Sequence, residues 1–382
     1  MKRNYACVYL TGLFFCFSTF GSGQSKIQRK RLVDPAATKE TVALFYNLEK
    51  IAEKNILFGH QHATEYGHGW YGDPNRSDVK SVTGSYPAVI GLDFGDLSGK
   101  PPQVIEESKK SLRKLIADTY NRGGISTIAW HFNNPVTETS FYWNDSTAAP
   151  AVKHIIPGGS HHQQYKAILR TIGEVTKSTK GKDGKVVPII FRPYHELDGE
   201  WFWWGKPHCT QQEFVSLWRF TVSYLRDSLQ VHNILYAFSP DCTFKTEADY
   251  LERYPGDAWV DMVGVDNYAD FGRGGHYDLE AGIQKLKIVS DYAQKAGKLA
   301  AFTETGLESI PDTTWWNNTL LKALKAKAMK FTYVMVWRND TNSPTHYYAP
   351  YPGHTSVPDF MKFYQDPYTL FEADLPKLYQ MK

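Results

Sequence analysis

Eight times along this chain a mostly apolar run of four to seven residues, rich in β-branched side chains, closes in polar or aromatic residues, with helical patterning between the runs. The runs are residues 56–59, 87–92, 124–130, 186–191, 233–238, 261–265, 298–302 and 331–336. Near-continuous apolarity at strand length marks parallel strands buried on both faces. Eight of them alternating with helices predict an α/β fold, the (β/α)8 TIM barrel, in which function gathers where the strands end. No linker-like stretch divides residues 34–382, so the barrel is read as one domain. The helices expected include one over 34–54, with Asp34 as N-cap and Pro35 at its first position. Another over 210–229 opens with a Thr210/Glu213 capping box, and one over 278–296 stops at Gly297.

Residues 1–23 carry Lys2 and Arg3, an apolar stretch over 6–17 and the small residues Gly21, Ser22 and Gly23. They are read as a secretory signal peptide, too short for a membrane span with its flanks. Bulky Phe15 before Cys16 favours a soluble exported protein, periplasmic or secreted, over a lipoprotein. Residues 24–33 follow as a flexible lead-in whose Lys26, Arg29, Lys30 and Arg31 form a solvated tail. Loss of Lys2 and Arg3 takes the formal charge from +3 to +1. A balance so near neutral argues against nucleic acid or an anionic membrane as partner. A monomer is expected. Cys209 and Cys242 remain in loops after neighbouring strands, where a disulfide or two free thiols both stay open, and no cysteine spacing suits a metal.

The stretch 186–205, VVPIIFRPYHELDGEWFWWG, is the most informative. Its buried strand delivers Arg192, His195 and Glu196 and then a cluster of aromatics. Glu196 pointing to solvent is the plain alternative, but a carboxylate at the end of a buried strand needs partners, and Arg192 and His195 are at hand. Glu304 closes the seventh run as Glu196 closes the fourth, so the two lie across the barrel mouth. Two convergent carboxylates are the minimum equipment for glycoside hydrolysis. Glu196, beside Trp201 to Trp204, suits the acid that must stay protonated. Glu304 suits the ionised partner, with donors expected from neighbouring Thr303 and Thr305 and help from Arg338. Aromatics make up 15% of the chain, with eleven Trp and twenty-four Tyr, many of them near Gly, Asp and His, which fits ring stacking on flat ligands as well as an aromatic core.

The motif RPYHELDGEWFWWG, with FGHQ near the start, WHFNNP after the third run, GVDNY after the sixth, TETG after the seventh and WRN after the eighth, resembles glycoside hydrolase family 26 from about residue 34 onward. Typical members are retaining β-mannanases of clan A. The resemblance implies double displacement at β-1,4-mannosidic linkages of mannan, galactomannan or manno-oligosaccharides, with Glu196 as acid/base and Glu304 as nucleophile, and no cofactor or metal. It implies that His131, Trp201, Tyr268 and Trp337 wall the subsite of the reacting sugar, with Tyr268 donating to the nucleophile. His195 would bond the nucleophile's surroundings or a sugar hydroxyl, and Arg338 the next sugar outward. His60, Gln61 and Glu65 are expected in the cleft. Trp203 and Trp204 are expected to pack behind it, and Asp93, Asp96 and Asp266 to orient loops or neighbouring side chains.

Three alternatives stay in view. A mixed-linkage β-glucanase or β-1,3-xylanase would use the same carboxylate pair. A non-catalytic carbohydrate-binding barrel predicts loss of a carboxylate, whereas both are present. A metal-dependent amidohydrolase is suggested by His60-x-His62, but it needs an Asp closing the last strand, where this chain has Trp337 and Arg338. The loops 133–162 and 339–359 either border an open groove or close one end of it, and so decide between endo action and release of short products.

Overall fold

The computed structural model describes residues 31–144 and 148–381; the expected signal peptide and most of the lead-in lie outside them. The eight runs form Ile56–Gln61 (β1), Val89–Asp93 (β2), Ile125–Ala129 (β3), Ile189–Arg192 (β4), Ile234–Phe238 (β5), Met262–Asp266 (β6), Leu299–Thr305 (β7) and Tyr333–Val336 (β8). Each pairs in parallel with the next, and β8 pairs back onto β1 through Leu57↔Tyr333 to His60↔Val336, closing the barrel. Helices on the outside include Pro102–Arg122, His162–Ser178, Gln211–Ser223, Leu279–Ala296 and Val357–Gln365.

Alternation along each strand sorts the core into two layers. Leu57, Val89, Ile125, Ile190, Leu235, Met262, Leu299 and Tyr333, one from each strand, point inward together. Their neighbours Phe58, Ile90, Ile128, Phe191, Tyr236, Val263 and Val334 pack outward under the helices. Val42, Leu44, Phe45, Leu48 and Ile51 of the helix Lys39–Ile51 join the inward layer and plug the N-terminal end of the barrel.

Strand β7 carries one residue more than its neighbours allow. Val265 aligns with Phe302 but Asp266 with Glu304, and on the other side Val334 aligns with Phe302 but Val336 with Thr305. This bulge turns both Thr303 and Glu304 inward; in unbroken alternation Glu304 would face the helices. Gly264 on β6 leaves the room, since a Cβ there would sit 2.6 Å from the Thr303 methyl.

Several expectations are corrected. The first helix starts at Lys39, capped by Thr38, whose hydroxyl accepts from Thr41 N at 3.2 Å. Asp34 instead accepts from Ala36 N at 2.7 Å and meets His232 Nδ1 at 2.8 Å, holding the chain before the helix. The lead-in is not wholly flexible or solvated: Arg31 bonds both oxygens of Glu49, Leu32 and Val33 are buried, and Val33 N donates to Asp261 Oδ1 at 2.8 Å. The capping box of Thr210 and Glu213 forms, but the helix widens at Tyr224–Ser228, where Leu229 N reaches Tyr224 O at 2.9 Å. Cys209 and Cys242 are free thiols.

Candidate active site

Strand ends bring the two carboxylates to one mouth. Arg192, the last residue of β4, is fully buried and points inward. Its Nη1 donates to Asp266 Oδ2 at 2.7 Å and Ser239 Oγ at 3.1 Å, while Nη2 bonds Glu304 Oε1. Burial opposes the guanidinium charge, but Asp266 and Glu304 outweigh it and hold Arg192 protonated. Tyr268, just past β6, donates to Glu304 Oε2 at 2.9 Å, so each oxygen of Glu304 has a fixed partner. Burial and the Glu304 charge push the Tyr268 phenol well above its usual range, so it remains a donor. Thr303 donates to Asp266 Oδ1 at 2.6 Å and Thr305 to the Asn267 carbonyl at 2.8 Å. Neither threonine hydroxyl serves Glu304, contrary to expectation, and Arg338 pairs with Asp340.

The segment after β4 is strained. Tyr194 and Glu196 are both left-handed, with φ of 52° and 53°, on either side of His195. Such backbone is costly for residues with side chains and persists only where the surroundings impose it. Glu196 N is tied to Ser239 O at 2.9 Å, and the Tyr194 hydroxyl is held by Tyr165 and by Thr221 at 2.9 Å. Half-buried Glu196 then receives Trp201 Nε1 on Oε2 at 2.6 Å. Burial first, then the negative charges of Glu304, Asp266 and Asp241, raise the Glu196 carboxyl well above its ordinary range. One carboxylate has both oxygens held by donors and the other group is pressed toward the protonated form, an acid paired with a nucleophile or base.

His195 lies under this pair, 1% exposed, with Nδ1 unpartnered and its carbonyl accepting from Trp204 Nε1 at 2.8 Å. Burial, then Arg192 and His131, keep its pKa well below the usual value, so it is neutral. His131 crosses it edge-to-face at 4.4 Å and lies 5.8 Å from the half-buried Trp337. Asp93, on neighbouring β2, fixes His131 through its backbone N at 3.0 Å and its Nδ1 at 2.5 Å. Trp203 and Trp204 are fully buried behind the mouth.

A cavity of about 680 Å³ opens from here, lined by His62, Glu65, Asp93, His131, Trp337 and Arg338 among others. Phe141 and Tyr142, from the loop after β3, complete its wall. That loop is braced on the segment after β4 by Trp143 N to Trp201 O at 2.6 Å and by Trp143 stacked on His208 at 3.6 Å. A second cavity of about 470 Å³ lies beyond Tyr268, lined by Arg273, Glu308, Thr345 and Tyr348. Of the three residues expected in the cleft after β1, Glu65 lines the first cavity, paired to His62. His60 and Gln61 are each 1% exposed and are corrected to structural positions. Strand alternation turns His60 outward near Asp78, where burial lowers its pKa to about 4. Gln61 turns into the barrel, where its amide donates to Leu92 O at 3.2 Å.

His195, Asp266 and Glu304 bring donor atoms within 4.8 Å of one another, a spacing that suits a cation. Arg192 already bonds both of those carboxylates, so the positive charge at this point is a guanidinium. Asp93 orients a neighbouring side chain, His131, as expected, whereas sequence reasoning missed Ser239 and the bulge. Gly264 was the one residue that could have signalled the bulge.

The sequence and fold have clear relatives. The chain is 39% identical to the family 26 protein GH26C from a Muricauda species, with a TM-score of 0.87 over 94% of this chain and 98% of that one. It is 41% identical to a family 26 β-mannanase from Bacteroides ovatus, with a TM-score of 0.83 over 90% and 98%. A mannan endo-1,4-β-mannosidase of Bifidobacterium adolescentis is 35% identical over 91% of this chain, which spans only 36% of that larger protein. The profile of glycosyl hydrolase family 26 matches residues 33–371, nearly all of the barrel, and this chain belongs to that family.

Proposed function

We propose that this protein hydrolyses β-1,4-mannosidic linkages with retention of configuration. Glu304 attacks the anomeric carbon while Glu196 gives its proton to the departing glycosidic oxygen. Glu196, now ionised, then takes a proton from the water that displaces Glu304 from the sugar. Arg192 and Tyr268 orient the two oxygens of Glu304 and neutral His195 fills the floor. The supporting observation is the contrast between the carboxylates: Glu304 is held at both oxygens by Arg192 and Tyr268, whereas Glu196 is pressed toward its protonated form. The choice of mannan follows the relatives, two of which are described as a β-mannanase and a mannan endo-1,4-β-mannosidase. We place the enzyme outside the cytoplasm, on the strength of residues 1–23.

Proton NMR of the first product from mannohexaose tests this directly. The β-anomer should appear before mutarotation, and an initial α-anomer would show inversion instead. Glu196→Ala should lower kcat/KM on mannan by about 10²–10⁴-fold. Azide added to Glu304→Ala should yield the α-glycosyl azide, and to Glu196→Ala the β-azide. The opposite pairing would reverse the two roles.

A further inference from the structure

The outer end of the 680 Å³ cavity takes no part in the steps above. Tyr66 and Tyr71 line it from a hairpin after β1, Tyr66–Gly67 against Trp70–Tyr71. Tyr71 is 76% exposed, the highest value for a large apolar side chain among the described residues. Its ring lies parallel to that of Tyr66, 6° between planes and 6.2 Å between centroids, and Tyr66 stacks on His62 at 5.0 Å. Tyr66, Tyr71 and His62 line the same cavity as Trp337 and Arg338. Tyr142, 55% exposed, lines the same cavity, so among the described residues two of the four large apolar side chains left open to solvent border this one space.

An exposed tyrosine on a loose loop would mean little. This one stands on a clamped backbone. Two rungs of hairpin are unstable alone, and here a buried carboxylate holds them: Asp78 accepts from His68 N at 2.7 Å, Trp70 Nε1 at 2.7 Å and Asn339 Nδ2 at 2.8 Å. Trp70 is itself buried, and its carbonyl accepts from Thr341 Oγ1 at 3.0 Å. Gly67 fits because a Cβ there would lie 2.3 Å from Asp78 Oδ2. The hairpin is thus bound to the loop after β8, which also carries Trp337 and Arg338, and its one outward product is a fixed ring facing water along the cleft.

We propose that Tyr71, continued by Tyr66, is the stacking platform of a distal sugar subsite, so that the cleft grips a chain well beyond the residue being cleaved. Aromatic faces pack on the C–H faces of pyranose rings, and a platform fixed in advance spares the cost of ordering it on binding. The proposal rests on the polysaccharide hydrolase reading and extends it to substrate length.

The test compares wild type, Tyr71→Ala and Tyr71→Trp on mannotriose and mannohexaose. Tyr71→Ala should lower kcat/KM on mannohexaose about tenfold more than on mannotriose, and Tyr71→Trp should restore it. An equal loss on both substrates, or none on either, overturns the platform. Affinity electrophoresis through gels holding β-mannan, mixed-linkage β-glucan or xylan separates this from the choice of substrate. Wild type slowed only by glucan or xylan, with no mannan turnover, removes the mannan reading, and weaker retardation of Tyr71→Ala in that gel still supports the platform. Retardation identical for wild type and Tyr71→Ala, or absent from all three gels, overturns it.

Discussion

Trp201 limits how far the carboxyl of Glu196 rises, because its indole N–H at 2.6 Å favours the ionised form against burial and three nearby acids. Removing that donor should let Glu196 keep its proton to higher pH. For Trp201→Phe the alkaline limb of the kcat/KM profile is therefore expected to move up by about one pH unit, whatever the loss in rate. A limb that stays in place or moves down would remove Glu196 as the group titrating there. Both carboxylates were legible in the sequence, because each closes an apolar run, and so were Arg192 and Tyr268. The donors of Glu304 were only half legible. Thr303 and Thr305 are its neighbours in sequence, but Thr303 reaches Asp266 and Thr305 the Asn267 carbonyl, and the guanidinium comes from Arg192, 112 residues away.

At the scale of elements, what could be read was periodic or local and what could not was set by neighbours. The Thr210/Glu213 capping box is a four-residue pattern and forms as written. Thr210→Ala should cost about 1 kcal/mol and lower Tm by about 1–2 °C with kcat/KM unchanged, measurable by calorimetry beside a standard assay. A larger fall would mean that the helix also braces the segment after β4. The pattern at Asp34 and Pro35 looked equally like a helix start, yet Asp34 is drawn off by His232, nearly two hundred residues on. The bulge in β7 belongs to the same class, since it depends on space left by Gly264 in the adjacent strand.

Across the whole molecule, stability and chemistry sit at opposite ends. The helix Lys39–Ile51 seals the N-terminal end of the barrel with Phe45 fully buried, while every group assigned to the reaction lies at the C-terminal mouth. Phe45→Ala should therefore cost about 3–5 kcal/mol of stability. Its kcat/KM per folded molecule should match wild type, checked by denaturation alongside active-site titration. A matching loss in kcat/KM would show that the floor and the mouth move together.

The extra residue of β7 also bears on how such a barrel loses its activity over generations. A side chain at position 264 that filled the room Thr303 takes and straightened the strand would leave Glu304 within its TETG motif, yet return it to the helix-facing side. Descent from this enzyme to a silent sugar binder would then need no change at either glutamate. An inventory of preserved active-site letters would count that descendant as a hydrolase.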